Sequence, residues 1–284
     1  MQALDDKDIF ELVYDRNILP DVVYFLQEGF NWGQEYSQKI LKALNSIDDN
    51  IPVAAVNKSS GGITIAILLF HQGVSEESKK AILNISAWYA VPEERGIPAL
   101  NFARKLLRNL DDYILTVYTP TATAYKVFKS IGFSEMAVGK ITIGLVNRYP
   151  FFSFPSLHTL RVIQAGAQKK STHFKESSEK IVHISNISAT RVDQAGALYY
   201  SLRSTKKFIF KLNVISVYAI NAWPANVTLT QVLWLALKRR AVSIDVFYKV
   251  DNGMVNKSNW LIYPASVPEK VIAPVGSELI LDDK

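Results

Sequence analysis

Ile82-Leu-Asn-Ile-Ser-Ala-Trp-Tyr-Ala-Val91, followed by Pro92-Glu-Glu-Arg-Gly-Ile-Pro98, is the stretch on which the reading of this chain turns. Its first part is too apolar for an exposed edge and is expected as a strand in the middle of a sheet. Its second part carries Gly96 between two prolines and predicts a turn, with Pro98 suited to a first helical position that needs no amide hydrogen. Ala99, Phe102, Ala103, Leu106, Leu107 and Leu110 then share one face, with Asn101, Arg104, Lys105 and Arg108 opposite, which predicts a helix from Ala99 to Leu110. Asp111-Asp112 breaks the pattern, and Ile114 to Tyr118 reads as a second, short strand. Thr119-Pro-Thr121 is a turn and helix start, and Ala124 to Ile131 continues as a helix that Gly132 ends.

Upstream, Ile9, Leu12 and Val13 fall on one helical face with acidic residues elsewhere, so Leu4 to Asn17 is expected as an amphipathic helix. A second helix is expected from Gln34 to Leu44. Pro52 to Val56 and Ile63 to Phe70 flank the polar, glycine-bearing Asn57-Lys-Ser-Ser-Gly-Gly62 and predict a hairpin. Downstream, Lys140 to Val146 reads as a last strand of this first unit. Tyr149-Pro-Phe-Phe-Ser-Phe-Pro155 and the polar run Gln168 to Ser178 mark a boundary. The expected organisation is a first domain over 1–150, a linker over 151–180 and a smaller α+β domain over 181–284. In that second domain Ala189 to Arg203 is expected as a helix and Phe208 to Ile220 as strand-rich. Thr228-Leu-Thr-Gln231 has the form of a capping box that opens a helix to about Arg240. Val242, Ile244, Val246, Tyr248 and Val250 alternate as a half-buried strand, and Asp251-Asn-Gly253 signals a hairpin into Trp260 to Tyr263.

The chain has 284 residues and no cysteine, which excludes disulfides, thiolate metal clusters and cysteine nucleophiles. Its four histidines, at 71, 158, 173 and 183, show no metal-ligand spacing, and no metal site is expected. No apolar run is long enough to span a membrane. The N-terminus lacks the basic and apolar pattern of a secretory signal, so a cytoplasmic protein is expected. Net charge is uneven. Residues 1–150 carry 15 Lys/Arg against 17 Asp/Glu, and residues 151–284 carry 17 against 9. A basic half can meet nucleic acid, a membrane surface or a phosphorylated ligand. No RNA-binding or helix-turn-helix signature accompanies it, which argues against nucleic acid.

The order of strand, glycine-bearing turn, helix, strand and helix closed by Gly132-Phe133 resembles the acyl-coenzyme A core of the GNAT superfamily of N-acyltransferases. The resemblance covers the first half. It implies an α+β fold, with a mixed, mostly antiparallel central sheet flanked by helices, and the second half is a fainter GNAT-like echo. It also implies acyl-CoA as cosubstrate, with an acetyl or short hydroxyacyl group, and no metal. The cofactor would lie along Trp88, Tyr89, Ala90 and Val91. Its diphosphate would meet the turn at Glu94, Arg95, Gly96, Ile97 and Ala99, where free helix-start amides favour an anion. Thr121, Ala124 and Phe128 would line the second helix. Gly96, Ala124, Gly132 and Phe133 match the family pattern. Glu93 replaces its Gln or Arg, Pro98 its last Gly or Ala, and Phe128 its tyrosine.

The implied reaction is direct attack of an amine on the thioester in a ternary complex. With Phe128 in the tyrosine's place, Tyr125 and Tyr118 are the candidate proton donors. Asn84 and Ser86 occupy the strand face that commonly carries a base, and could order a water. The basic second half, with Arg203, Lys206, Lys207, Lys238, Arg239 and Arg240 beside Tyr199, Tyr200, Trp223 and Trp260, suggests a nucleotide-linked amino sugar as acceptor. Thr119-Pro-Thr121 after the core strand, followed by a second domain of this size, also resembles a group of GNAT-like proteins of bacterial surface-polysaccharide synthesis. The alternatives are a protein, polyamine or aminoacyl acceptor, or an acyl-CoA-binding protein without catalysis. Neither nucleic acid nor membrane insertion is expected.

Overall fold

The computed structural model describes residues 9–75, 78–118, 120–136, 138–144, 181–183, 198–207, 210–219, 229–249, 259–264 and 266. They form two compact units. Unit 1 runs to Glu135 and resumes at Asn259, and unit 2 holds the described residues between. The expected linker, the Tyr149 to Pro155 cluster and the Gln168 to Ser178 run lie outside the described residues.

Unit 1 comprises β1 (Ile9–Val13), α1 (Leu19–Phe30), α2 (Gln34–Asn45), β2 (Ala54–Ser59), β3 (Gly62–Val74), β4 (Ala81–Ala90), α3 (Ile97–Asn109), β5 (Ile114–Val117), α4 (Ala122–Ser130) and β6 (Ser134–Glu135). Its sheet has the order β1-β2-β3-β4-β5-β12-β6, where β12 is Leu261–Tyr263. Every pair is antiparallel except β4 with β5, which α3 connects as a crossover. On one face Ile65, Ile67, Leu69, Leu83, Ile85 and Leu115 pack against Phe102, Leu106 and Phe128 of α3 and α4. On the other, Ala54, Val56, Ala66, Leu68 and Phe70 pack against Leu19, Val22, Leu26, Ile40 and Leu44 of α1 and α2. Period-two alternation along β2 and β3 thus feeds two apolar layers, each covered by helices.

The first segment corrects the sequence reading. Ile9–Val13 is a strand, paired with β2 from Ile9↔Lys58 to Val13↔Ala54. Phe10 and Leu12 turn to the α3 layer and Val13 to the α1 layer. Apolar residues at 9, 12 and 13 satisfy a helix face equally well, and five ladder rungs decide the matter. Helix α1 has Pro20 in its first turn and apolar residues at 19, 22, 23 and 26. That spacing is the apolar face of a helix and is legible in the sequence.

Unit 2 has a five-stranded sheet, order β7-β11-β10-β9-β8. The strands are β7 (Val138–Gly144), β8 (Ile181–His183), β9 (Leu198–Lys207), β10 (Phe210–Ala219) and β11 (Ala241–Lys249), and Leu229–Lys238 is helix α5. Strand β9 replaces the C-terminal part of the helix expected at Ala189 to Arg203, because its residues pair with β10 along nine rungs. Pairs β10–β9 antiparallel, β10–α5–β11 parallel and β11–β7 antiparallel repeat the succession β4–β3, β4–α3–β5 and β5–β12 of unit 1.

Two further expectations change here. The strand read at Lys140 to Val146 exists, but it pairs with β11 in the second sheet, where Asp245 takes Lys140 Nζ at 2.8 Å and Thr142 Oγ1 at 2.6 Å. Leu261–Tyr263 does not form a hairpin with β11. It lies between β5 and β6, and Leu261, fully buried, joins the α3 layer. Local turn chemistry at Asp251-Asn-Gly253 could not reveal which distant strands offered the open ladder. Among the described residues, no helix is long and apolar enough to cross a membrane.

Candidate functional site

The parallel pair β4–β5 closes only from Ile82↔Ile114 to Asn84↔Thr116. Strand β4 continues to Ala90, but its register with β3 jumps between Ser86 and Tyr89, which places Ala87 and Trp88 in a bulge, and Ala87 takes φ +51°. A bulge bends its strand and raises the local twist. The two parallel strands accordingly part beyond Asn84, and the β5 side of Ile85 to Ala90 leaves the ladder. This fork opens at the C-terminal ends of the pair, where the starts of α3 and α4 both lie. Open α/β sheets bind ligands at such a place. In unit 2 the corresponding pair β10–β11 shifts register between Asn213 and Val214 but then pairs without a break from Val214↔Ser243 to Ala219↔Tyr248, so the described part of unit 2 has no fork.

The turn above β4 is a 3₁₀ turn, Pro92–Glu94, then Arg95 and Gly96. Gly96 caps α3 at φ +84° and ψ −120°, a conformation open to glycine, and beyond its two chain neighbours no described atom stands within 4 Å of where a Cβ would be. Sequence reasoning expected amides from residues 94 to 97. Two of them are spent internally, Glu94 N on Val91 O at 3.0 Å and Arg95 N on Pro92 O at 3.4 Å. The amides of Gly96, Ile97 and Ala99 stay outside those bonds, and Pro98 has none. Helix α3 begins at Ile97, two residues earlier than read, because Pro98 tolerates the first turn. The Arg95 guanidinium donates to Ala90 O at 3.2 Å and lies 5.8 Å above the Tyr89 ring. Glu93 is exposed. Glu94 keeps a buried, unpartnered Oε2, which opposes an anion at the turn.

Thr121 caps α4, its Oγ1 accepting from Ala124 N at 3.2 Å. Phe128 is a core residue, 2% exposed, with its ring 5.3 Å from Trp88 and 4.9 Å from Phe133. Its hydroxyl-free ring suits that packing between Trp88 and Phe133. Tyr125 is partly exposed and donates to Glu135 Oε1, and this bond to a carboxylate raises the phenol above its ordinary value. Tyr118 is 3% exposed, with its hydroxyl on Gln72 Oε1 at 2.9 Å and its ring edge-on to Trp260 at 4.7 Å. Asn84 is fully buried and Ser86 half-buried. By strand alternation both face the α1 layer, with Phe70 opposite Asn84.

Sequence reasoning missed Gln72, Thr116 and an aromatic wall on the same side. Phe30 stacks on Trp32 at 5.0 Å, Trp32 meets Tyr36 at 5.2 Å, and Tyr89 meets Phe25 and Phe30 at 5.4 and 5.6 Å. The Tyr89 ring lies so close to Gly29 that a Cβ there would stand 2.6 Å from it. Gln72-Gly73, a polar residue and a glycine at the end of an apolar strand, was the available signal, since glycine in a strand often marks a bulge. Of the acceptor residues expected in the second half, Tyr200 and Trp260 are buried and Lys238, Arg239 and Arg240 are exposed. The side chains of Tyr199, Arg203, Lys206 and Lys207, and residue Trp223, lie outside the described set.

His71 ends the apolar run of β3 with its Nε2 buried and unpartnered. Burial, the largest effect, holds its pKa below the ordinary value, against opposing contributions from Gly73 and Asp48. The folded state therefore binds fewer protons than the unfolded one below about pH 6.5. Stability is expected to be fully present above that pH and to fall as pH drops toward the depressed folded value. Urea midpoints at stepped pH should show this slope, and His71→Gln should flatten it.

No family model matches the chain, and no curated protein matches it. Among solved structures, a GCN5-related N-acetyltransferase from Anabaena variabilis is similar at 12% identity and TM-score 0.46, covering 89% of this chain and 72% of that one. A predicted acetyltransferase with acetyl-CoA from Clostridium acetobutylicum is similar at 12% identity and TM-score 0.38, over 52% of this chain and 97% of that one. A provisionally assigned acetyltransferase from Pyrococcus horikoshii gives 11% identity and TM-score 0.38, and the chain spans only 52% of its length. Likeness at this level adds no weight of its own. The strand order, the crossover through α3 and the fork define a GNAT-like α+β fold.

Proposed function

We propose that unit 1 binds acyl-coenzyme A and transfers its acyl group to an amine. The observation that carries this reading is the fork of β4 and β5 with the Gly96 turn directly above it. An extended pantetheine arm pairs with main-chain groups of Ile85 to Ala90 as an added strand would, and the diphosphate takes the amides of Gly96, Ile97 and Ala99. The Glu94 carboxylate weakens that anion site, and Arg95 offsets it in part.

In the transfer the amine nitrogen bonds to the thioester carbon and the carbon–sulfur bond breaks. The nitrogen loses a proton and the sulfur gains one. Main-chain donors at the bulge polarise the carbonyl. For the acceptor we retain the amine of a nucleotide-linked amino sugar, as in surface-polysaccharide synthesis. The basic charge of residues 151–284 and the exposed Lys238, Arg239 and Arg240 support it. Burial of Tyr200 and Trp260 removes two of the rings expected to stack on a base.

Thermal shift with acetyl-, 3-hydroxybutyryl- and free coenzyme A tests the site, with stabilisation by each expected, since a ligand bound only by the folded state raises its stability. No response to any of them sinks the reading. Thiol release with nucleotide amino sugars, then polyamines and peptides, tests the reaction and ranks the acceptors. Stabilisation without thiol release from any amine would favour a binding protein. The neutral Asn84, Ser86, Thr116 and Gln72 beside the fork would suit that outcome.

A further inference from the structure

The closed end of the fork holds a polar network that a packed sheet does not require. Strand β3 carries a bulge between His71 and Gly73, and Gly73 takes φ +110°. The bulge releases Gln72 from strict alternation, and its side chain spans β4 to reach residues of and beyond β5. Gln72 Oε1 accepts the Tyr118 hydroxyl at 2.9 Å and the Thr116 hydroxyl at 3.2 Å, and Thr116 lies 3.4 Å from Asn84 Oδ1. Asn84↔Thr116 is the last rung before the strands part. Gln72 Nε2 is buried with no partner. An unpaired buried amide costs about 1–3 kcal/mol, which offsets part of what the two hydrogen bonds to Gln72 Oε1 contribute.

We propose that Gln72 is a positioning residue for Tyr118, and that Tyr118 shuttles the proton of the acyl transfer. The proposal rests on the acyltransferase reading above. As the amine nitrogen bonds to the thioester carbon and the carbon–sulfur bond breaks, the phenol oxygen takes the proton that nitrogen loses. The phenol's own proton passes to the departing sulfur. Charge balances without a carboxylate base, which matches the neutral groups around the fork. Gln72 sets the direction of the phenol hydrogen. With Oε1 toward the hydroxyls, as here, that hydrogen is held inward. With the amide turned, Nε2 donates to the phenol oxygen and its hydrogen is released toward the fork.

The test is steady-state thiol release with acetyl-CoA and the best acceptor amine. Tyr118→Phe and Gln72→Leu are each expected to lower kcat by about tenfold or more. The KM for acetyl-CoA should stay within about twofold, because the interaction is made in the transition state. The double variant should lose no more than Tyr118→Phe alone, as residues acting as one unit do. Gln72→Glu adds a readout that a packing role would not move. An ionised glutamate only accepts and locks the phenol hydrogen inward, so this variant should lose kcat as pH rises through its carboxyl titration. It also carries the test if Gln72→Leu fails to fold. Additive losses, an unchanged kcat in Gln72→Leu or a flat profile in Gln72→Glu overturns the proposal while leaving the acyltransferase reading intact. Stabilisation by acetyl-CoA with no turnover by the unaltered chain overturns both.

Discussion

Gly96→Val is expected to remove most of the thermal stabilisation that acetyl-CoA gives, while the ligand-free protein stays folded. A branched side chain at φ +84° and ψ −120°, outside the left-handed helical region, costs about 1–3 kcal/mol or forces the turn to another conformation. Beyond the two chain neighbours no described atom lies within 4 Å of the new Cβ, so the ligand-free fold loses little more than that strain. The branched group would stand beside the Gly96, Ile97 and Ala99 amides, the ones that internal bonds leave for a diphosphate. Losing that cradle should weaken binding by about tenfold or more, or about 1.4 kcal/mol. Titration calorimetry against acetyl-CoA checks the effect, and an affinity equal to that of the unaltered chain would show that the turn holds no diphosphate.

Leu261→Asp is expected to be severely damaging to the unit that carries the fork. Leu261 is fully buried between β5 and β6 and belongs to the α3 layer. Truncating such a leucine costs about 2–5 kcal/mol, and a buried unpaired carboxylate adds to it. Against a usual total of about 5–15 kcal/mol, unit 1 should be largely unfolded at room temperature or melt far earlier. Circular dichroism melts and a lost response to acetyl-CoA would record it. Leu237→Asp, on the exposed face of α5 at 59% exposure, should melt almost as the unaltered chain does. Equal behaviour of the two variants would contradict the placement of β12.

Much of the fork's frame was legible because its signals are local. Apolar runs around Ile63 to Phe70 and Ile82 to Val91, the prolines and Gly96, and the face carrying Phe102 and Leu106 each fix an element within a short window. The α3 start, the Thr121 cap and the end at Gly132 came within a few residues of the observed limits for the same reason. Ile9 to Val13 misled because its spacing satisfies two periods, and only the ladder with β2 separates them. The proton donors stayed open for a similar reason. Tyr118 and Tyr125 look alike in sequence, yet one is buried on Gln72 and the other tied to Glu135 near solvent.

The sequence by itself determined the order of strand, glycine turn, helix, strand and capped helix, since backbone propensity and side-chain periodicity act over a few residues, and that order carries the resemblance to a GNAT-like α+β fold. Tertiary structure alone decided which strands complete each sheet, because an open ladder edge accepts a partner from any distance along the chain. That is how Leu261–Tyr263 comes to lie beside β5, and Val138–Gly144 beside β11. It also decided that β4 and β5 part after Asn84 while β10 and β11 do not. That difference depends on a bulge across from β3, whose register no single strand encodes.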